Sequence, residues 1–299
     1  MFDDILNNTP AGEQNGQQLS KEDYAVKKKE EREALFTLSD ETAMAVAGDG
    51  GKFALYLDVQ SKFDRYSAVN SLLIMAQESK LPSGSASRLG DFDYWKEKGA
   101  SVRGGQSGIA ILEPHTYTKD DEIKVGYNVK KVFDVSQVDT RKMRAASPPP
   151  SFDERQMLKA LVHNAPVKII GVDTLPDGAG AKYDPQTGTI SVLKGMDFAD
   201  TFRSVAQELA FADLTTGPET QLDPQFSAYC VSYMLCKKYG VDTQGFNFAD
   251  APGALDGMDA REVKGELSRI RDTAEDISGR VGRQLEAISK VAKNRDEAR

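Results

Sequence analysis

The sequence predicts an α+β protein built from two folded parts. In both halves, stretches whose apolar residues recur at threes and fours, typical of helices, are followed by short strand-like runs. The run Ser147-Pro148-Pro149-Pro150-Ser151 lies between the halves, and consecutive prolines favour an extended linker. From Ala260 to Ala298 the apolar residues keep helical spacing throughout, which predicts one long amphipathic helix.

The N-terminal part is predicted to be helical after a polar start. Residues 1–20 are rich in Asn, Gln, Gly and Asp, a composition typical of disorder. A helix is predicted from Ser20 to Leu38, because Ser20 supplies an N-cap and Asp23 supplies the acidic residue three positions later. Helical spacing then covers Thr42 to Val46 and Ala54 to Ser79.

The region before the prolines ends in predicted strands. A short helix that contains Trp95 is predicted from Asp91 to Lys98. Three strand-like runs follow, at Ser101–Arg103, Gly108–Glu113 and Tyr127–Asp134. Together with the preceding helices, these strands predict an α+β domain.

The region after the prolines repeats this mixture. The predicted elements, in order, are a helix (Asp153–Asn164), three strands (Val167–Val172, Lys182–Asp184, Thr189–Leu193) and two helices (Phe198–Leu214, Pro224–Tyr239). Four segments result: an extension over residues 1–39, a domain over 40–146, a second domain over 147–257 and a C-terminal helix over 258–299. That helix either packs on the second domain or pairs with a partner.

Composition and charge exclude several classes of protein. The net charge is −8, and residues 40–146 carry 15 basic and 15 acidic side chains, hence no net charge. This balance argues against a large electrostatic footprint on duplex nucleic acid, but it leaves room for a local binding groove. Apolar runs are too short for a membrane span, the N-terminus lacks a secretory pattern, and the two cysteines suggest a reduced cytoplasm. With only His115 and His163, a site of three zinc-binding histidines is impossible.

The stretch from Thr201 to Asp213 has the frame of a zinc-peptidase helix without its histidines. In the pattern H-E-x-x-H, two His one turn apart bind the metal, and the Glu takes a proton from the metal-bound water. Here the same frame is Gln207-Glu208-Leu209-Ala210-Phe211, so the Glu remains and both His are replaced.

Three segments of the first domain together resemble the ArdC-type antirestriction proteins of plasmids and conjugative elements. The segment from Phe63 to Gln77 is similar to the family helix "YS-x-x-N-x-x-L-I-x-x-Q". The segment from Trp95 to Ile111 is similar to "W-x-x-x-G-x-x-V-x-x-G-x-x-G-I", and Val132–Gln137 is similar to "VFDVSQT". The resemblance implies a single-stranded-DNA-binding domain followed by a zincin-like metallopeptidase domain, here with a long C-terminal helix.

Binding of single-stranded DNA needs cations along the backbone and aromatic faces for stacking. Within the matching segments the candidates are Arg65, Tyr66, Asn70, Gln77, Trp95, Lys96, Arg103, Lys130 and Lys131. Four of these have a structural alternative: Trp95 and Tyr66 as core aromatics, and Asn70 and Gln77 as partners of buried backbone groups.

The second domain resembles the family in its hairpin and in its second helix. Residues 182–195 resemble the edge strand before a zincin helix, and the segment from Ala228 to Thr243 resembles "A-E-S-V-A-Y…G-I-D-T". The resemblance implies a third metal ligand at the position of Tyr229. All three inferred ligand positions are therefore altered, to Gln207, Phe211 and Tyr229, which predicts no metal, no cofactor and a vestigial Glu208. Phe211 and Tyr229 are predicted to fill the space of the metal.

The sequence therefore predicts a non-catalytic, cytoplasmic accessory protein of a mobile or conjugative element that binds single-stranded DNA and is antirestriction-like. The alternative is a protein- or peptide-interaction module that uses the peptidase-like groove and the C-terminal helix. Antirestriction itself comes from the resemblance alone.

Overall fold

The computed structural model describes residues 20–143, 150–217 and 221–297, with side chains through Val291. Helices and strands are both present in separate segments, so the predicted α+β class is confirmed. The predicted disorder of residues 1–20 and most of the proline linker lie outside the described residues, apart from Ser20, Pro150 and Ser151.

The chain divides into two compact units whose limits differ from the predicted domains. Residues 20–45 and 69–143 form the first unit, and residues 46–68 join the region after the prolines in the second. Phe53 explains the difference, because its buried ring packs 5.7 Å from each of the rings of Phe226 and Phe248. Burial of such aromatic side chains outweighs contiguity in sequence.

The described residues of the first unit form a long helix, two shorter helices and five strands. Its elements are α1 (Lys21–Ala47, which reaches the second unit at its last two residues), α3 (Ala68–Gln77), β1 (Leu89–Gly90), α4 (Phe92–Glu97), β2 (Ser101–Val102), β3 (Ile109–Lys119), β4 (Glu122–Asp134) and β5 (Val138–Asp139). The strands form one sheet in the order β1-β4-β3 and a separate β2-β5 pair. Leu35, Leu73, Ala110 and Leu112 form one buried cluster, and Trp95, Ala100, Phe133 and Val138 form another.

The hairpin of β3 and β4 is longer than the sequence predicts. It pairs antiparallel from Ile109↔Val132 to Lys119↔Glu122, whereas the predicted strands stop at Glu113 and begin at Tyr127. The turn residues Asp120 and Asp121 have φ values of 55° and 60°, which match a two-residue type I′ turn. Beyond Leu112 the residues of β3 are all exposed, so the outer half of the hairpin is a two-stranded ribbon.

The second unit combines a three-stranded sheet with six helices among its described residues. Its elements are α2 (Gly50–Lys62), α5 (Glu154–Val162), β6 (Lys168–Val172), β7 (Ala181–Asp184), β8 (Thr189–Leu193), α6 (Phe198–Thr216), α7 (Pro224–Tyr239), α8 (Ala251–Ala254) and α9 (Ala260–Glu297). The sheet order is β6-β8-β7, with β6 parallel and β7 antiparallel to β8.

The helix predicted from Ala54 to Ser79 is two helices, and that prediction was wrong. The first ends at Lys62 and the next begins at Ala68. The side-chain amide of Gln60 donates to the carbonyl oxygens of Phe63 and Tyr66, at 3.4 Å and 3.1 Å. These bonds satisfy backbone acceptors in the turn that a continuous helix would have used.

Helix α9 packs inside the second unit, which is one of the two alternatives that the sequence left open. Its apolar stripe is buried at Val263, Leu267, Ile270, Ala274, Ile277, Val281 and Leu285. The guanidinium of Arg280 donates to the carbonyl oxygens of Leu161, at 2.9 Å, and His163, at 3.2 Å, at the end of α5. Among the described helices, none has an apolar stretch that could span a bilayer.

Candidate nucleic-acid interface and the α6 site

Asn70 and Gln77 form hydrogen bonds inside the protein. The side-chain amide of Asn70 donates to the Leu112 carbonyl and accepts from the Leu112 N–H, both at 2.9 Å. Gln77 does the same for Ala110, donating at 2.9 Å and accepting at 3.1 Å. Both side chains are buried, and together they complete the outer edge of β3 as another strand would. Both residues therefore bond buried backbone groups, which is the structural alternative that the sequence offered for them. Their side-chain amides are not available to DNA.

Trp95 is fully buried in the second cluster of the first unit. Its indole N–H donates to the Phe133 carbonyl at 3.0 Å, and its ring packs edge-on against Tyr94 at 5.0 Å. A base cannot stack on a ring that is enclosed in this way. The candidate role of Trp95 in DNA binding is therefore corrected to a core role.

Lys130 is neutralised by two carboxylates. Its ammonium group lies 2.8 Å from Asp91 and 2.7 Å from Glu113, and these bonds raise its pKa above the usual range. Burial lowers the pKa of neighbouring Lys131, which lies on the opposite face of β4. Lys130 therefore has less free charge to offer a phosphate than the sequence suggested.

The remaining candidates are divided between the two units. Arg65 and Tyr66 belong to the second unit, where the guanidinium lies 5.1 Å from the ring centre in a cation–π contact. Lys96 is exposed on α4, and Arg103 is exposed after β2. Among the nine candidates, Asn70, Gln77 and Trp95 are buried, and Lys130 is paired with two carboxylates.

Aromatic and basic side chains instead share one face of the β3–β4 ribbon with Glu122, the pairing partner of Lys119. His115, Tyr117 and Lys119 share this face with Lys124, which is the pairing partner of Tyr117. The His115 and Tyr117 rings lie 6.0 Å apart at an interplanar angle of 37°. The Tyr117 side chain is 43% exposed, although it has no core to cover at this end of the sheet.

Gly126 lets both rings lie close to the ribbon. A Cβ atom at this position would approach His115 Nε2 to 2.8 Å and Tyr117 Cε1 to 3.2 Å. Any other residue would push the rings away from the backbone, so glycine here shapes the surface.

Sequence analysis missed this face because it ended the strands too early. A usable signal was present: Thr116-Tyr117-Thr118 is β-branched and aromatic, and Ile123 and Val125 alternate with polar residues across the turn. The other face of the ribbon carries Ile123, which is 79% exposed, and Val125.

The end of β4 is held by the buried carboxylate of Asp134. It accepts backbone N–H groups from Ser87 at 2.6 Å, Arg88 at 2.9 Å and Ser136 at 2.9 Å. Burial acts to raise the pKa of this carboxyl, but these hydrogen bonds prevail and hold it below the usual value. The motif Val132–Gln137 thus organises a turn, and it places the exposed Arg88, which sequence analysis overlooked, beside that turn.

In the second unit, Glu208 of α6 is tied to the sheet. Its buried carboxylate accepts the N–H of Tyr183 at 2.7 Å, at the outer edge of β7. Burial raises the pKa of this carboxyl, and the Tyr183 bond opposes the rise. Glu208 therefore has a structural partner at the edge of the sheet.

The three inferred ligand positions do not fit a divalent metal. Phe211 has no donor atom, and its ring packs edge-on against Tyr183 at 6.4 Å. The Tyr229 hydroxyl accepts the Asn247 N–H at 2.7 Å, and its ring packs on Phe246 and Phe248 rather than on Phe211. Phe211 and Tyr229 therefore pack on different partners and do not form the single plug that was predicted. Gln207 offers the metal one weak neutral ligand. In residues 20–143, 150–217 and 221–297, no group of three or more His, Cys, Asp or Glu is arranged to hold a metal.

Comparison with known proteins identifies the first domain. Residues 41–147 match the family described as the N-terminal domain of anti-restriction factor ArdC. This confirms the family resemblance drawn from the three sequence motifs. No curated protein matches the chain.

Two solved structures are similar to the chain at low identity. One is the metal-free crystal structure of the antirestriction ArdC protein from the R388 plasmid, with 15% identity, a TM-score of 0.49, and coverage of 73% of this chain and 86% of that chain. The other is the Mn(II)-bound crystal structure of the same protein, with 15% identity, a TM-score of 0.48, and coverage of 72% and 85%.

Proposed function

We propose that this chain, which belongs to the ArdC-type family through its domain at residues 41–147, binds single-stranded DNA through the face of the β3–β4 ribbon. The observation that carries the proposal is the exposed pair of His115 and Tyr117, with Lys119 next along β3 on the same face and Lys124 opposite Tyr117. Unpaired bases stack on aromatic rings, and lysines beside the rings attract the phosphates between those bases.

The charge of the segment that contains the ribbon sets the expected strength of binding. Residues 40–146 carry 15 basic and 15 acidic side chains, so long-range attraction of DNA is weak. Lys124 also lies 3.3 Å from Glu122, although such an exposed pair is readily exchanged for a phosphate. We therefore expect modest affinity that falls steeply with salt.

Replacement of Tyr117 by Ala tests the proposal directly. Loss of one stacking ring costs about 1–3 kcal/mol, so affinity for a fluorescent oligothymidylate should fall about 5- to 100-fold in an anisotropy titration. Tyr24→Ala is the matched control, because Tyr24 is an exposed tyrosine on α1 of the same unit. Equal affinity of the wild type and Tyr117→Ala would refute a role for the ribbon.

The second part of the proposal is that the second unit is not a metallopeptidase. Its support is chemical: Phe211 offers no donor, the Tyr229 hydroxyl is bonded to Asn247, and Glu208 is bonded to Tyr183. A divalent metal needs several well-placed donors. Elemental analysis of protein dialysed against zinc or manganese should give far less than one metal per chain. Stoichiometric metal, lost again on Glu208→Gln or Gln207→Ala, would disprove this part.

The wider role that we propose is an antirestriction-like accessory protein of a mobile element, acting on single strands in the cytoplasm. Membership of the ArdC family supports this role. The alternative of a peptide-binding module has less support. Glu208 already occupies the Tyr183 N–H that an added strand would use, and the apolar stripe of α9 is buried from Val263 to Leu285.

A further inference from the structure

Two exposed arginines flank the turn at the end of β4. The Val135 N–H donates to the Arg88 carbonyl at 3.0 Å, and the Arg103 N–H donates to the Gln137 carbonyl at 3.0 Å. These two bonds hold the chain segments of Arg88 and Arg103 against the same four-residue turn. The turn itself is fixed by a capping box in which Asp134 and Gln137 bond each other's backbone groups.

We propose that Arg88 and Arg103 form a site for the backbone phosphates of single-stranded DNA, an inference that rests on the proposed function. Arginine is suited to phosphate because its planar guanidinium offers paired N–H donors. The guanidinium of Arg103 is partly positioned already, since it donates to the Ser136 carbonyl. The hydroxyls of Ser83 and Ser136 lie 3.3 Å apart at the turn, and the Ser83 hydroxyl donates to the Ser85 carbonyl at 2.7 Å.

The acidic groups at this turn have hydrogen-bond or ion-pair partners other than the guanidinium groups of Arg88 and Arg103. The Asp134 carboxylate is buried and accepts the three backbone N–H groups described above. Asp139 is paired with Arg141, and this pairing, with a smaller contribution from Arg103, lowers its pKa to about 2. Glu78 accepts the Ala86 N–H at 2.8 Å. Among the described residues no carboxylate forms an ion pair with Arg88 or Arg103, although the ionised Asp134 lies at the same turn.

The glycines after Arg103 leave space for a strand of DNA. Gly104 and Gly105 have no atom within 4 Å of the place where a Cβ would lie, and Gly105 has a φ of 74°. A backbone without side chains in an exposed loop allows close approach of a sugar-phosphate chain. The site would position the strand through its phosphates, while the ribbon face contacts the bases.

The test uses two fluorescent probes, an oligothymidylate and an abasic oligonucleotide that keeps the phosphates and lacks bases. For both probes, Arg88→Ala and Arg103→Ala should each reduce the slope of log affinity against log salt by about 0.7, the value for one phosphate on a single strand. Arg155→Ala, an exposed arginine of α5 in the second unit, should leave the slope unchanged.

The outcomes separate this inference from the proposed function. If the abasic probe binds with the predicted slopes while Tyr117→Ala has no effect on oligothymidylate binding, the arginine site stands and the ribbon proposal fails. If Tyr117→Ala weakens binding while both arginine variants keep the wild-type slope, the arginine site is overturned alone. Failure of the abasic probe to bind at low salt also overturns it. Arg88→Ala decides the matter if loss of the Arg103–Ser136 bond disturbs folding.

Discussion

Asn70 and Gln77 lie seven residues apart on one helix. Their side chains form hydrogen bonds with Leu112 and Ala110, which lie two residues apart on β3. Both N–H and C=O groups of Ala110 and Leu112 point away from β4, so they need partners on the outer edge of β3. An amide side chain carries an N–H donor and a C=O acceptor side by side, so it matches the N–H and C=O groups of a backbone residue in both directions. The residue types at these positions follow from this geometry and need no DNA to explain them.

Replacement of Asn70 by Ala separates the two roles that the sequence allowed. It leaves the buried N–H and C=O of Leu112 without partners, so the free energy of unfolding should fall by about 2–4 kcal/mol. Denaturant titration followed by the fluorescence of Trp95, the single tryptophan, reports on this unit. Asn128→Ala, at an exposed position of β4, should change stability by less than about 0.5 kcal/mol. Unchanged stability of Asn70→Ala together with weaker DNA binding would contradict our assignment.

Single residues were predictable from the sequence where chemistry alone decided the outcome. Phe211 cannot bind a metal in any fold, and that conclusion needed no coordinates. Trp95 and Lys130 depended on their surroundings: whether a ring is enclosed, or a lysine is paired by Asp91 and Glu113, depends on contacts between distant parts of the chain. Arg88 was overlooked because its position beside the turn comes from its pairing with Val135.

At the scale of elements, helices with strong caps were predicted closely. Helix α5 begins after Asp153, whose capping box with Gln156 is visible in the sequence, and α7 ends at Gly240, which has a φ of 69°. The break between α2 and α3 was missed. There the helical spacing of apolar residues continues through Phe63 and Tyr66, and the side-chain bonds of Gln60 decide where the helix stops.

The β3–β4 ribbon was missed for a different reason. Strand prediction relies on a buried face, and the outer half of this hairpin has none. Cross-strand pairing and the type I′ turn at Asp120 and Asp121 hold it instead. An isolated two-stranded ribbon is marginally stable in water, so continuity with the buried pairs from Ile109 to Leu112 is what supports it. Exposed aromatic residues on such an element are consistent with a binding role.

At the scale of the whole molecule, the predicted α+β class was correct, while the unit limits depended on tertiary contacts. The proline linker suggested a division of the chain at one point. Residues 46–68 nevertheless belong to the second unit, because Phe53 packs on Phe226 and Phe248 and the Tyr233 hydroxyl donates to Asp58 at 2.7 Å. Nothing in the local pattern of α2 distinguishes these partners from others.

The two units have different chemistry for a ligand. The first unit has two exposed surfaces for a ligand, the ribbon face and the turn flanked by Arg88 and Arg103. In the second unit, the side chains of Glu208 and Tyr229 form internal hydrogen bonds. Our account therefore assigns DNA contact to the first unit and a structural role to the α6 site.

The most direct test of this account is a crosslinking map of the protein bound to single-stranded DNA. A single-stranded oligonucleotide that contains bromodeoxyuridine is irradiated in the complex, and the attached peptides are identified by mass spectrometry. We predict attachment within residues 115–126, which include His115, Tyr117 and Lys124. Attachment confined to the second unit, with none on the ribbon under conditions of full binding, would contradict the central claim.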